Sequence, residues 1–327
     1  MANPSSVFTE MVSTTLRNSA TEVADNVSKH NAFLNRLKKK GQIRTLSGGY
    51  EIQLPLEYAE NSTYQRYGGF DTLNTNASDV VTSAKYDWAQ VALHVVSSGR
   101  ELRQNAGKEA MISLVKTKKA NALKTAANNF SVDLYSDGSL TNQVGGLANI
   151  IQTAGQGTVG GINAATWAFW RNKFKEATGT NTALTPTAAN SAAFTADMGS
   201  LWLPLNRGAD KPDLIIFSQD FYTLYETGQQ QLQRYMDADM AQSGFIGLKY
   251  KTADVMFDDN TNFTTTAEKG YFLNTDYLYI DQHKEAQWTQ DDEKRPINQD
   301  AVVIPYYWMG NLVCSNRALQ GVIFDDA

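Results

Sequence analysis

Cysteine is nearly missing from this chain of 327 residues: Cys314 is the only one. A lone cysteine excludes an intrachain disulfide and any cysteine-rich metal site. Histidine is almost as scarce, and His30, His94 and His283 lie far apart, so no zinc centre is expected. No apolar run approaches the ~20 residues that a membrane helix needs. The first residues, MANPSSVFTEM, lack the basic-then-apolar order of a signal peptide. A reducing cytoplasm is the expected compartment, with no membrane partner. Catalytic signatures are missing too: no G-x-S-x-G, no H-E-x-x-H, no Cys/His pair, no Walker lysine and no kinase set. The glycine-rich GQGTVGG at 155–161 lacks the Lys-Ser/Thr ending of a phosphate loop and reads as plain loop. Asp254, Asp258, Asp259 and the run Asp291-Asp292-Glu293 do not have EF-hand spacing and read as solvated turns. His94 sits in an apolar strand as a structural histidine, and nothing marks a partner for His283. Chemistry on Asp and Glu alone is what remains for an enzyme, as an alternative; the expectation is a protein that is not an enzyme and takes no cofactor.

Charge of either sign is sparse, at 19% of residues, but it is unevenly placed. Residues 1–50 hold seven Lys/Arg against three Asp/Glu, and residues 209–300 hold eight against seventeen. Such asymmetry can set a basic face on one copy against an acidic face on another, or towards nucleic acid.

What is present begins with residues 98–130, which read as one long helix. Ser98 and Glu101 form a capping box, each satisfying the other's backbone N–H. Leu102, Ala106, Ala110, Leu114, Val115, Leu123, Ala126, Ala127 and Phe130 recur at helical spacing, and Gly107 is the only costly interior residue. At ~1.5 Å per residue such a helix would run ~48 Å. It carries seven basic and two acidic residues.

Ahead of it, Tyr50, Ile52, Leu54, Leu56 and Tyr58 alternate with polar residues as a strand, with Pro55 calling for a free edge. Residues 80–96 are a second β-rich run. Residues 59–79 between them hold no element, yet Tyr64, Tyr67 and Phe70 argue against disorder, because such rings need cover. A two-stranded arm cannot bury both faces alone, which points to a neighbouring subunit. Residues 5–37 are weakly amphipathic and stop at Lys38-Lys39-Lys40-Gly41.

Beyond the helix, residues 163–178 suit a helix, with Trp167, Trp170 and Phe174 at helical spacing. Further helices are expected within 188–207 and from Gln219 to Tyr235. Strands are expected at Asp213–Phe217, Leu248–Asp258 and Lys269–Asp281, near 301–314 with Pro305 at an edge or bulge, and near 318–324. The last strands could pair with those flanking the long helix.

The strings SGGYEIQLPLEYAENSTYQRYGGFDTL (47–73), YDWAQ (86–90) and ANNFSVDLYSDG (127–138), in this order, resemble the major capsid proteins of tailed double-stranded-DNA bacteriophages, the Hong Kong 97 type. The resemblance implies an α+β fold with an N-arm (1–40) and an extended β-loop (41–97). A peripheral domain (98–138 and 266–327) would hold the spine helix, marked by Ser98, Glu101, Leu114, Leu123 and Phe130. Residues 139–265 would form an α/β axial domain. Contacts between subunits would come from Tyr58, Tyr64, Arg66, Tyr67, Phe70 and Trp88 of the extended loop. The implied function is an icosahedral shell of pentamers and hexamers around the genome, in the virion, assembled in the host bacterial cytoplasm. Implied partners are the chain itself, a separate scaffolding protein, a portal, a decoration protein and packaged DNA through non-specific contact. An encapsulin-like compartment shell is the alternative of the same fold. Some members cross-link covalently from a lysine in the extended loop, but here Lys85 is the only lysine between Gly41 and Gly107 and stands away from the tip. Neither a cross-link nor a maturation cleavage is expected.

Overall fold

The two larger of four β-sheets meet in the largest hydrophobic core, and helices pack against them. The computed structural model describes residues 32–104, 110–177, 187–230, 248–258 and 268–325. In chain order, α1 (Ala32–Lys40) and β1 (Ile43–Leu46) lead to a hairpin of β2 (Ile52–Glu57) and β3 (Val81–Tyr86). Next come β4 (Ala89–Ser98), α2 (Gly99–Gln104) and α3 (Ala110–Asp133). A short α4 (Leu147–Ile150), the small strands β5 (Thr158–Val159) and β6 (Ile162–Asn163), and β7 (Lys173–Glu176) follow. Then come α5 (Ala188–Trp202), β8 (Leu214–Phe217), α6 (Gln219–Gln230), β9 (Leu248–Tyr250) and β10 (Ala253–Phe257). The chain closes with β11 (Lys269–Leu273), β12 (Leu278–Gln290), β13 (Ala301–Cys314) and β14 (Gly321–Phe324).

One sheet has the order β1-β12-β13-β4 and the other β7-β14-β11-β8-β10-β9. Strand β8, LIIF, is buried on both faces, which is why it reads as a continuous apolar run. Its period of two splits it cleanly. Ile215 and Phe217 face Phe194, Met198 and Phe221 of α5 and α6, while Leu214 and Ile216 join the larger core with Leu278, Ile280 and Trp308 of the other sheet. Helix α3 reaches that core through Phe130, whose ring lies 4.8 Å from Trp308 and 6.2 Å from Trp288.

The expected capping box is present: Ser98 N donates to Glu101 Oε2 at 3.1 Å, and Glu101 N donates to Ser98 Oγ at 3.2 Å. The single straight helix is not. Glu101 Oε2 lies 3.0 Å from Lys118 Nζ, seventeen residues along. In one straight helix those residues would stand ~25 Å apart on the axis, beyond the reach of two side chains. So α2 and α3 are not collinear, and Gly107 lies outside the described residues.

Other expectations shift where tertiary pairing overrides local pattern. The expected helix 163–178 is not formed over its described residues, 163–177: a short 3₁₀ turn at Ala168–Trp170 is followed by β7, which pairs in parallel with β14. Trp170 is buried while Trp167 and Phe174 are about half exposed, so the helical spacing of the three was fortuitous. The run 80–96 is two strands in two sheets. The third expected helix is described as far as Gln230, and 231–235 lie outside the described residues. Residues 248–258 turn at Lys251, where φ is 53°, and the strand from Lys269 stops at Leu273 before β12 begins. Pro305 lies in a central strand rather than at an edge. It accepts from Asp291 N just beyond the last β12 pair at Gln290, so its missing N–H falls where that ladder ends. His94 is exposed beside Tyr307, not a core histidine. The C-terminal strands divide: β13 pairs with β4, and β14 joins the other sheet.

Candidate assembly surface

Strand β2 alternates as the sequence suggests, with Ile52, Leu54 and Leu56 buried and Gln53, Pro55 and Glu57 exposed. The buried face meets this chain's own core, together with Ala84 and Tyr86 of β3. Tyr86 Oη donates to the Cys314 carbonyl at 3.0 Å. The root of the arm is therefore covered from within the chain. This corrects the expectation that the arm as a whole needs a neighbour. Pro55 pairs across a two-stranded ladder and keeps a free edge.

The tip is the opposite case. Residues 59–80 form no helix or strand. Polar side chains close the loop instead: Ser62 and Ser78 Oγ meet at 2.6 Å, Gln65 Nε2 donates to the Thr72 carbonyl at 3.2 Å, Asn74 Nδ2 donates to the Ser62 carbonyl at 3.3 Å, and Gly68 N donates to Asp71 Oδ2 at 2.6 Å. On this frame Tyr64, Tyr67 and Phe70 stand 85%, 68% and 106% exposed, with Arg66 exposed beside them. Three such rings offer on the order of 400 Å² of surface, as much as the largest apolar patch of a typical monomer.

The remaining residues singled out by sequence are spread out. Tyr58 packs its ring 5.6 Å from Trp167 and 5.7 Å from Phe169 of its own chain. Trp88, partly buried, donates Nε1–H to the Gly49 carbonyl at 3.0 Å and meets the His283 ring. On the helices, Leu123 is 43% exposed, Phe130 is buried, and Leu114 lies within α3. The arm places Tyr64, Arg66, Tyr67 and Phe70 together at one tip, with Tyr58 at its base. Trp88 and the α3 residues stand elsewhere.

Charge is matched partly inside the chain. Arg36 and Lys40 of α1 both meet Asp213, at 3.2 and 3.1 Å; Arg36 also meets Asp254, and Lys40 meets Asp276. Arg44 holds the fully buried Asp281 carboxylate with two bonds of 2.7 Å. Arg36, Lys40 and Arg44 of α1 and β1 thus lie on acidic residues of their own chain. Burial works to raise the Asp213 carboxyl, but the Thr275 N–H and hydroxyl and Lys40 outweigh it and hold it below the usual carboxylate range. Cys314 is buried, and burial pushes its thiol up to about 12.

Sequence reasoning did not find Trp167 and Phe169 at the foot of the tip, because nothing local ties them to Tyr58. It also passed over Arg317, which is wholly buried and donates to the carbonyls of Ile150, Trp170 and Gln156. Burial draws the Arg317 guanidinium down to about 10. Among the described residues no group of His, Cys, Asp or Glu is placed to hold a metal ion, and no helix is long and apolar enough to cross a membrane.

No protein-family model and no curated protein matches the chain. Solved structures do. The capsid asymmetric unit of cyanophage A-1(L) is similar over 94% of this chain and 96% of that one, with a TM-score of 0.64 at 17% identity. The capsid of Myoviridae phage XM1 covers 95% and 97%, with a TM-score of 0.55 at 15% identity. An encapsulin complex from Synechococcus elongatus covers 96% and 95%, with a TM-score of 0.57 at 8% identity. The chain has the fold of these shell proteins, the Hong Kong 97-type α+β fold.

Proposed function

We propose that this chain is a major capsid protein of a tailed phage or prophage, building an icosahedral shell of pentamers and hexamers around double-stranded DNA. The observation that carries the reading is the aromatic tip: a root buried in the chain's own core, a loop closed by its own polar groups, and three rings left largely exposed. That is the form of a surface made to be buried by another copy. A fold shared over nearly the whole chain with phage capsids supports the same reading. In these terms residues 1–40 are the N-arm, 41–97 the extended loop, 98–138 and 266–327 the peripheral domain, and 139–265 the axial domain. The role is structural and not enzymatic. Besides itself the chain meets a scaffolding protein, a portal, packaged DNA and, on the outer face, a decoration protein. It assembles in the host cytoplasm and ends in the virion.

Electron microscopy of the purified protein at high concentration, with and without its scaffold, tests this. Capsomer-sized rings or closed shells are expected. A sharp monomer in light scattering under all conditions, scaffold included, would overturn it. The similarity to an encapsulin supports a second reading, a compartment shell. Shells isolated from the native host that carry enzyme cargo and no DNA would decide for it.

A further inference from the structure

We infer that residues 155–171 act as a clamp that sets the direction in which the arm tip leaves the body, through Trp167 and Phe169 gripping Tyr58. This rests on the reading of the tip as the part that docks on a neighbour, since only then does its direction matter.

Tyr58 is the last anchored residue of the outgoing strand. Its N–H donates to the Val80 carbonyl at 3.0 Å, and its ring meets Trp167 edge-on and Phe169 at a tilt. The loop that presents these two rings is itself held on several sides. Arg171 Nε and Nη2 donate to the carbonyls of Ala164 and Ala165, each at 2.7 Å. Trp167 N donates to the Asn163 carbonyl at 2.9 Å, and Trp170 Nε1 donates to the Val159 carbonyl at 2.9 Å. From beneath, buried Arg317 binds the carbonyls of Gln156 and Trp170. The same loop touches the returning strand, where Lys85 N donates to the Gly160 carbonyl at 2.9 Å, and a Cβ on Gly160 would stand 3.0 Å from the Ala84 methyl. Both strands of the arm are thus gripped by one rigid loop. Trp167 is 48% exposed, so it contributes little to the core and much to the place where the free part begins. Tyr58, Trp167 and Phe169 are positioning residues: they would steer the docking surface without being part of it.

Distance measurement between two spin labels tests the clamp in single chains. One label goes on Gly69→Cys, where an added Cβ meets nothing within 4 Å, and one on exposed Lys211→Cys. Cys314 is buried and stays unlabelled. Labelled protein is diluted into unlabelled protein so that only distances within one chain count. The parent should give a narrow distribution. Trp167→Ala and Tyr58→Ala should roughly double its width or shift its centre, with thermal melting of the body unchanged for Trp167→Ala. Tyr58→Phe, which keeps the ring, should restore the narrow distribution. Equal widths and equal centres in all four proteins would overturn the clamp. If the clamp holds, Trp167→Ala shells should also form in lower yield or with aberrant curvature. A parent that never forms shells would sink the capsid reading while leaving the distance result standing.

Discussion

Within one excursion of chain, residues 52–86, two halves obey opposite rules. In the root, strand β2 shows period-two burial, and Ile52, Leu54 and Leu56 with Ala84 and Tyr86 of β3 meet the chain's own core. In the tip, 59–79, there is no period at all, and the rings of Tyr64, Tyr67 and Phe70 are left largely exposed. The root behaves as a domain core, and on the proposed reading the tip is half of an interface. A continuous surface arm would not divide so sharply at Tyr58. The division says which part of the arm folds the chain and which part is free to meet another copy, and it predicts that substitutions on the two sides of Tyr58 fail in different ways.

The largest effect is expected in the root. Leu54→Ala opens a cavity under β2, where Leu54 is 7% exposed, and should lower the stability of the dissociated chain by about 2–5 kcal/mol in urea unfolding. A loss below ~1 kcal/mol would mean that the root, like the tip, waits for a neighbour.

Next in size is the charge that ties the N-terminal helix to the body. Asp213 receives Thr275 and, from α1, Arg36 and Lys40, and its carboxyl sits below its ordinary value. A group depressed in the folded state contributes stability above its unfolded value of ~3.9, and that contribution is lost as pH falls through the folded value. Asp213→Asn should cost about 2–3 kcal/mol at neutral pH and flatten the loss of stability on acidification below about pH 4. Urea titrations at several pH values check both. An unchanged acid slope would show that Asp213 is not what the acid attacks. Glu268, raised first by burial and then by Asp220 and Asp325, contributes with the opposite sign.

The contrast between root and tip also shows how much of the molecule the sequence made legible. The alternation at Ile52, Leu54 and Leu56 was plain because β2 has one buried and one exposed face. The capping box at Ser98 was plain because its chemistry is local. What stayed hidden depended on partners far along the chain. Burial of the root on Tyr86 and the C-terminal strands could not be read from β2. Nor could the pairing of Lys173–Glu176 with Gly321–Phe324, which overrode a helical spacing of tryptophans. The Glu101–Lys118 pair, which rules out one straight helix, is likewise a tertiary fact. Charge asymmetry was read as matching between subunits, yet Arg36, Lys40 and Arg44 find their acids at home. Of the candidate surface, Tyr64, Tyr67 and Phe70 were found because rings in a stretch with no element of its own call for cover, while Trp167 was absorbed into an expected helical stripe.

Smaller effects on the chain itself are expected at the tip. Replacing 59–79 by a short glycine-containing turn joins Tyr58 to Val80, which already share a backbone hydrogen bond. Loop closure changes slowly with length, so the dissociated chain should shift by only ~1 kcal/mol. Shells should not form. Phe70→Ala should leave stability within ~0.5 kcal/mol, because the ring touches no core, and should still weaken assembly. Circular dichroism melting with electron microscopy separates the two readouts. A deletion that unfolds the chain would erase the line drawn at Tyr58, and normal shells from it would make the tip dispensable.

The smallest effect is expected at Lys85, where root and tip could be confused. Some shell proteins of this fold bond covalently from a lysine of the extended loop to a neighbour, and Lys85 is the only lysine in 41–104. It lies on β3 in the root, its Nζ is 3.1 Å from Glu51 Oε1, and its N–H is held by Gly160. A lysine that attacks a neighbour's side chain must stand where the neighbour comes; on the proposed reading that place is the tip, and residues 59–79 contain no lysine. Lys85→Arg keeps the charge and the Glu51 pair while removing any such chemistry. Mature particles of parent and variant should therefore dissolve alike in hot denaturing detergent, each to a single monomer band. A ladder of multimers in the parent that the variant abolishes would mean that a neighbour reaches the root after all, and that burial within the chain does not mark where contact between copies ends.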